Sequence, residues 1–134
     1  MLLNIKTGWQ GMTITPMRDI AILVASVHRL AEDRVTCLLV DRHAYLAAAR
    51  FSSDTDGLSG LDWPRLQEVD FRRRPDDPEL FERYQAEALV HGHLPVRHLN
   101  QVVCYGTEQL DDLAEQIERR GLEITVSAQP TWYF

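Results

Sequence analysis

Val35-Thr36-Cys37-Leu38-Leu39-Val40 is a run of β-branched and apolar residues that stops abruptly at Asp41-Arg42-His43. A short apolar run bounded by polar residues reads as a strand buried in a sheet. Upstream, Ile20 to Val27 has the same character over eight residues and is expected to be a strand buried on both faces. It passes into a helical turn at His28-Arg29-Leu30-Ala31. Working outward, Leu2 to Ile5 reads as a short edge strand ended by Lys6-Thr7-Gly8. Gln101 to Tyr105 is a strand closed by Gly106, and Leu122 to Val126 alternates like a half-exposed strand. Helices are few. Ala44 to Phe51 is alanine-rich and expected to be a short helix. Asp62-Trp63-Pro64 begins another that ends near Asp70, with Asp62 as N-cap and Pro64 in the first turn. Glu79 to Tyr84 gives at least one helical turn. Thr107 to Arg120 is the clearest helix, capped by Thr107 and Gly121, with Leu110, Leu113, Ala114 and Ile117 on one stripe. Ser52 to Gly60 and Phe71 to Pro78 read as loops, and Gln85 to Val90 fits either helix or strand by periodicity alone. Strands separated by irregular loops and few helices predict an α+β fold with a mixed sheet.

The bulk properties fit one domain. The chain has 134 residues, 45% of them hydrophobic and 25% charged, so it is long enough to bury a core without staples. Its net charge of -6 rules out a globally basic nucleic-acid binder while leaving room for a local basic groove. Two cysteines, Cys37 and Cys104, sit inside apolar runs and read as core thiols rather than a disulfide framework. The start MLLNIKTGW lacks a basic segment and a long apolar core, so no signal peptide is expected. No apolar stretch approaches the length of a membrane span, and a cytoplasmic protein is expected.

Few residues invite chemistry. Glu87 interrupts the apolar run Ala86-Glu87-Ala88-Leu89-Val90. A carboxylate projecting from such a run is costly unless partnered or set in a cleft. The competing reading is a solvated position on an edge strand. His43 lies where a strand stops and could be a base, a stacking ring or a donor; the plainer reading is a turn histidine. Arg72-Arg73-Arg74 make a local positive patch suited to phosphate, set against Asp76, Asp77 and Glu79, which could equally balance it as a solvated charge run. His91, His93 and His98 resemble a metal-ligand cluster, but no Cys, Asp or Glu lies among them to complete a set, and a polar strand end is the alternative. No P-loop, dinucleotide fingerprint or nucleophile elbow is present.

The order of these pieces resembles one family. Asp41-Arg42-His43, then Leu61-Asp62-Trp63, then Tyr84-Gln85-Ala86-Glu87-Ala88-Leu89-Val90-His91, then terminal Trp132-Tyr133, is similar to DarT, the DNA ADP-ribosyltransferase toxins of bacterial toxin–antitoxin systems. The likeness covers essentially the whole chain. It implies an ADP-ribosyltransferase-like mixed split sheet with flanking helices, a single domain over residues 1–134 that corresponds to the C-terminal part of the family domain. Family members carry a preceding segment with a nicotinamide-binding histidine region and an arginine, and Met1 aligns with an internal methionine at the cofactor site. The implied activity is transfer of ADP-ribose from NAD+ to a base, thymine in the best-known branch, in single-stranded DNA. NAD+ serves as substrate and no metal is implied. Glu87 matches the catalytic glutamate, which holds the nicotinamide ribose 2′-hydroxyl and stabilises an oxocarbenium-like transition state. Arg42, His43, Arg72, Arg73 and Arg74 fall where the DNA is read. Implied partners are single-stranded DNA, a DarG-like macrodomain antitoxin and a second copy of the chain, with no membrane. Two other classes compete: a non-catalytic module binding an antitoxin, DNA or itself across an exposed sheet edge, and a metal-dependent hydrolase built on the three histidines.

Overall fold

The computed structural model describes residues 2–68, 70 and 74–133, with the backbone alone for Leu2 and Leu3. In chain order the elements are α1 (Leu2–Thr7), β1 (Ile22–Ala25), α2 (Val27–Glu32), β2 (Cys37–Val40), β3 (Phe51–Ser52), α3 (Trp63–Glu68), α4 (Leu80–Arg83), β4 (Glu87–Val90), β5 (Leu99–Cys104), α5 (Thr107–Arg119) and β6 (Thr125–Ala128). They divide into two compact units, one of Met1–Ser26 with Pro95–Phe134 and one of Val27–Leu94.

The first unit holds a mixed sheet of order β1-β5-β6. β1 runs antiparallel to β5, and β6 runs parallel to it with Val102 opposite Val126. Parallel neighbours need a crossover, and α5 supplies it. Its end is a Schellman motif: Gly121, at φ 62, donates its N–H to the Glu118 carbonyl, and the Leu122 N–H reaches that of Ile117. At the other end the cap is Gly106 and not Thr107, which is already helical; no side chain closes the first turn. β5 is the centre of the core, with Val103 fully buried and Cys104 nearly so. Tyr133 packs there too, its hydroxyl 2.8 Å from the Val103 carbonyl and 2.9 Å from that of Ile20. Burial pushes both the Cys104 thiol and the Tyr133 phenol above their ordinary ranges.

Three expectations change here. Leu2 to Ile5 is helical rather than an edge strand, part of a helix that runs on to Thr7: Leu2, Leu3 and Lys6 favour helix, and Gly8 at φ 69 stops it. Only Ile22–Ala25 of the expected eight-residue strand pairs, and it is not buried on both faces. β1 is an edge strand bonded to β5 alone, which leaves Leu23 exposed. The last strand forms at Thr125–Ala128, because Leu122 is used by the helix end.

The second unit holds an antiparallel sheet of order β3-β2-β4. β2 is central, with Leu39 opposite Ser52 and Ala88, and Val40 opposite Phe51 and Glu87. Leu30, Leu39, Val40 and Leu80 are its buried apolar residues. Cys37, by contrast, is half-buried, and it is a free thiol like Cys104. α3 begins as expected: Asp62 Oδ1 accepts the Arg65 N–H at 3.4 Å. The helix expected over Ala44 to Phe51 does not form. Asp41 and Arg50 are tied to each other, Arg50 N–H to the Asp41 carboxylate at 2.9 Å and Asp41 N–H to the Arg50 carbonyl at 3.3 Å. That closure forces the alanines into two successive turns, Leu46 N–H to the His43 carbonyl and Ala49 N–H to that of Leu46. Tertiary closure overrides helix propensity.

Candidate functional site

The site is built on the register of β2 and β4. α4 runs almost directly into β4, its carbonyls still accepting from Gln85 and Ala86, so Glu87 is the first residue the strand presents. Glu87 pairs with Val40, the last residue of β2. The loop that leaves β2 therefore starts beside the carboxylate. Its fourth residue, Ala44, donates its backbone N–H to Glu87 Oε1 at 2.6 Å. Among the described residues no hydrogen bond reaches Oε2. The Glu87 side chain is about one-third exposed, at 32%. One oxygen is anchored and the other is left without a hydrogen bond among the described residues.

His43 lies alongside. Its Nδ1 is 3.6 Å from Glu87 Oε1, and that same nitrogen accepts the Tyr45 N–H at 3.2 Å. The His43 side chain is 55% exposed. Tyr45, next in the loop, is 91% exposed.

Arg42 sits in a web of carboxylates. Its guanidinium is 3.0 Å from Glu82, 3.5 Å from Asp41 and 3.7 Å from Glu79, and only 12% of the side chain is exposed. It ties the end of β2 to α4. Arg83, the last residue of α4, ties that helix to the segments before it, reaching Asp62 at 3.3 Å and bonding closely to Asp77. Arg74 bonds Asp70 at 2.8 Å, and that carboxylate raises its already high pKa. Met1, Arg72 and Arg73, expected at the cofactor and the DNA, lie outside the described residues.

Of the expected residues, the structure thus brings Glu87, His43 and Arg42 into one neighbourhood. Two participants escaped the sequence reading. The Ala44 N–H has no side-chain signature. Tyr45 carried one faint signal, an aromatic in an alanine-rich tract just after a polar strand end. The histidine cluster does not assemble. β4 ends at Val90, Gly92 turns the chain at φ 75, and His98 is buried in a separate turn. Among the described residues no three His, Cys, Asp or Glu side chains come together as metal ligands. Nor, among them, is any helix long and apolar enough to cross a membrane.

Comparison with known proteins identifies relatives of this chain. The family described as "ssDNA thymidine ADP-ribosyltransferase, DarT" matches residues 1–134. A DNA ADP-ribosyl transferase from Escherichia coli O127:H6 is 40% identical over 134 residues, all of this chain and 62% of the relative, so the chain spans about three-fifths of that protein. The structure of Thermus sp. 2.9 DarT in complex with carba-NAD+ superposes with a TM-score of 0.84 at 25% identity, over 99% of this chain and 67% of that one. The same Thermus protein in complex with ADP-ribosylated ssDNA gives 0.84 at 25% identity, over 99% and 63%. With a family match over its full length and a 40% identical relative, the chain belongs to the DarT family.

Proposed function

We propose that the chain carries the catalytic carboxylate of an enzyme that moves ADP-ribose from NAD+ onto a base, thymine, in single-stranded DNA. The observation that supports this best is the anchored Glu87: Ala44 fixes Oε1 at 2.6 Å while Oε2 is left to accept from a substrate hydroxyl. NAD+ supplies an activated glycosidic bond: nicotinamide leaves with the electron pair, and a base nitrogen forms the new bond to C1′. Glu87 Oε2 accepts the 2′-hydroxyl of the reacting ribose, and its charge faces the positive charge that develops at C1′. A carboxylate held in place beforehand needs no reorganisation as that charge appears. Glu87 also takes the proton of the attacking base nitrogen, in a general-base role. His43, beside Glu87, orients the base from the side of the loop. Arg42 keeps the end of β2 on α4, where its carboxylate partners hold it, and contacts DNA only at its exposed edge. Arg74, with Arg72 and Arg73, meets phosphate.

A macrodomain antitoxin of the DarG kind, a second copy of the chain and a cytoplasmic setting complete the proposal. The test is incubation of the purified chain with NAD+ and a pool of single-stranded oligonucleotides, read by intact mass. One added ADP-ribose unit, absent with Glu87→Ala, is the expected result. A folded chain that binds DNA without modifying it would favour a non-catalytic binding module instead.

A further inference from the structure

Tyr45 is an aromatic side chain that the fold leaves in the open. At 91% exposure its ring contributes nothing to the core, yet its backbone is tied into the loop. Its N–H is bonded to His43 Nδ1, its neighbour Ala44 is bonded to Glu87, and its loop is closed by the tie between Asp41 and Arg50. Carboxylates border the loop: Glu87 and Asp41 accept its backbone N–H groups, and Glu79 and Glu82 hold Arg42. Arg42, Arg65, Arg74 and Arg83 in the same unit are each already paired with carboxylates. A polyanion approaching here meets four arginines already engaged by carboxylates, with Arg50 at the loop's far end engaged through its backbone, so a term beside charge would add to its affinity. A base stacked on an aromatic ring is such a term, and it tolerates any base because every base has a π-face.

Resting on the reading of single-stranded DNA as substrate, we infer that Tyr45 is a base-stacking platform that seats a nucleotide beside Glu87. It is a positioning residue: the ring face holds a base, and the closed loop fixes the distance from that base to the carboxylate. Because the ring is exposed, its removal leaves the fold intact, so the variants report on binding.

The experiment measures binding of the full chain to dT10 by fluorescence anisotropy, at several salt concentrations, for wild type, Tyr45→Ala and Tyr45→Phe. Tyr45→Ala is expected to bind about 10- to 100-fold more weakly, the range for loss of one base–aromatic stack. Its dependence on salt should equal that of wild type, since no phosphate contact is lost. Tyr45→Phe keeps the ring and should stay within about twofold of wild type. An abasic position walked along the oligonucleotide should abolish the Tyr45→Ala penalty at one register, as a protein–DNA mutant cycle requires. If wild type and Tyr45→Ala bind equally, the platform is overturned while the DNA reading stands. If Tyr45→Phe is as weak as Tyr45→Ala, the hydroxyl makes the contact and stacking is overturned. If wild type does not bind dT10, both fall together.

Discussion

In the sheet β1-β5-β6 the central strand buries Val102, Val103 and Cys104, with Tyr133 packed into the same core. In the sheet β3-β2-β4 the buried set is Leu39 and Val40 with Leu30 and Leu80, and α4 is gripped by guanidinium–carboxylate contacts through Arg42 and Arg83. The first region is held by apolar burial, which salt hardly touches. The second adds a web of charges to a thin core. Glu87 belongs to the second, at the point where α4 hands over to β4. On the proposed reading the difference has a physical sense: a carboxylate that is to face substrate is placed by directional contacts, because packing alone fixes depth better than it fixes aim.

The largest effect should come from the carboxylate itself. Glu87→Gln keeps an acceptor for the Ala44 N–H but removes the charge, so thermal stability should hold. Transfer should fall on the order of 10³-fold. A drop below tenfold in a quantitative DNA-modification assay would place the chemistry elsewhere. Next in size, Leu80→Ala opens a cavity where α4 meets its core and should cost about 2–5 kcal/mol in urea unfolding. Residual activity should decline with it if α4 truly sets the Glu87 position. Smaller again, Glu82→Gln weakens the Arg42 web. Since the Glu82 side chain is 36% exposed, solvent screening keeps the cost near about 1 kcal/mol. The gap between variant and wild-type melting temperatures should close at high salt, whereas the gap for Leu80→Ala should persist.

The smallest effect separates the regions by pH. Cys104 and Tyr133 both have pKa values raised by burial, so the folded chain keeps protons that the unfolded chain has lost. Their contribution is whole below the ordinary thiol range and is lost as pH rises through their raised folded values. Alkaline urea titrations should show this decline, and Cys104→Ala should flatten its first part.

Much of this was legible beforehand. The polar stop at Asp41-Arg42-His43 and the carboxylate inside an apolar run marked the site, because strand ends and costly charges are local signals. The 107–119 helix was legible from its stripe. What was hidden depends on contacts between distant segments. Nothing local in Ala44 to Phe51 tells that Asp41 and Arg50 are tied, and alanine content pointed the wrong way. The partners of Arg42 were hidden because Glu79 and Glu82 lie 37 and 40 positions away. The Arg72–Arg74 run gave the strongest charge signal in the sequence, and only its last member falls within the described residues.

The tie between Asp41 and Arg50 also makes the intervening segment a cassette. Its two ends are set by the strands, and its inner contacts to Glu87 and His43 use main-chain N–H groups that any residue except proline supplies. Substitution at Tyr45 therefore leaves the Glu87 anchor in place, while a change in the length of the segment would displace it. In an evolving lineage or an engineered library, the side chain at position 45 is free to change by point substitution, under a segment of fixed length that keeps the Glu87 anchor in register.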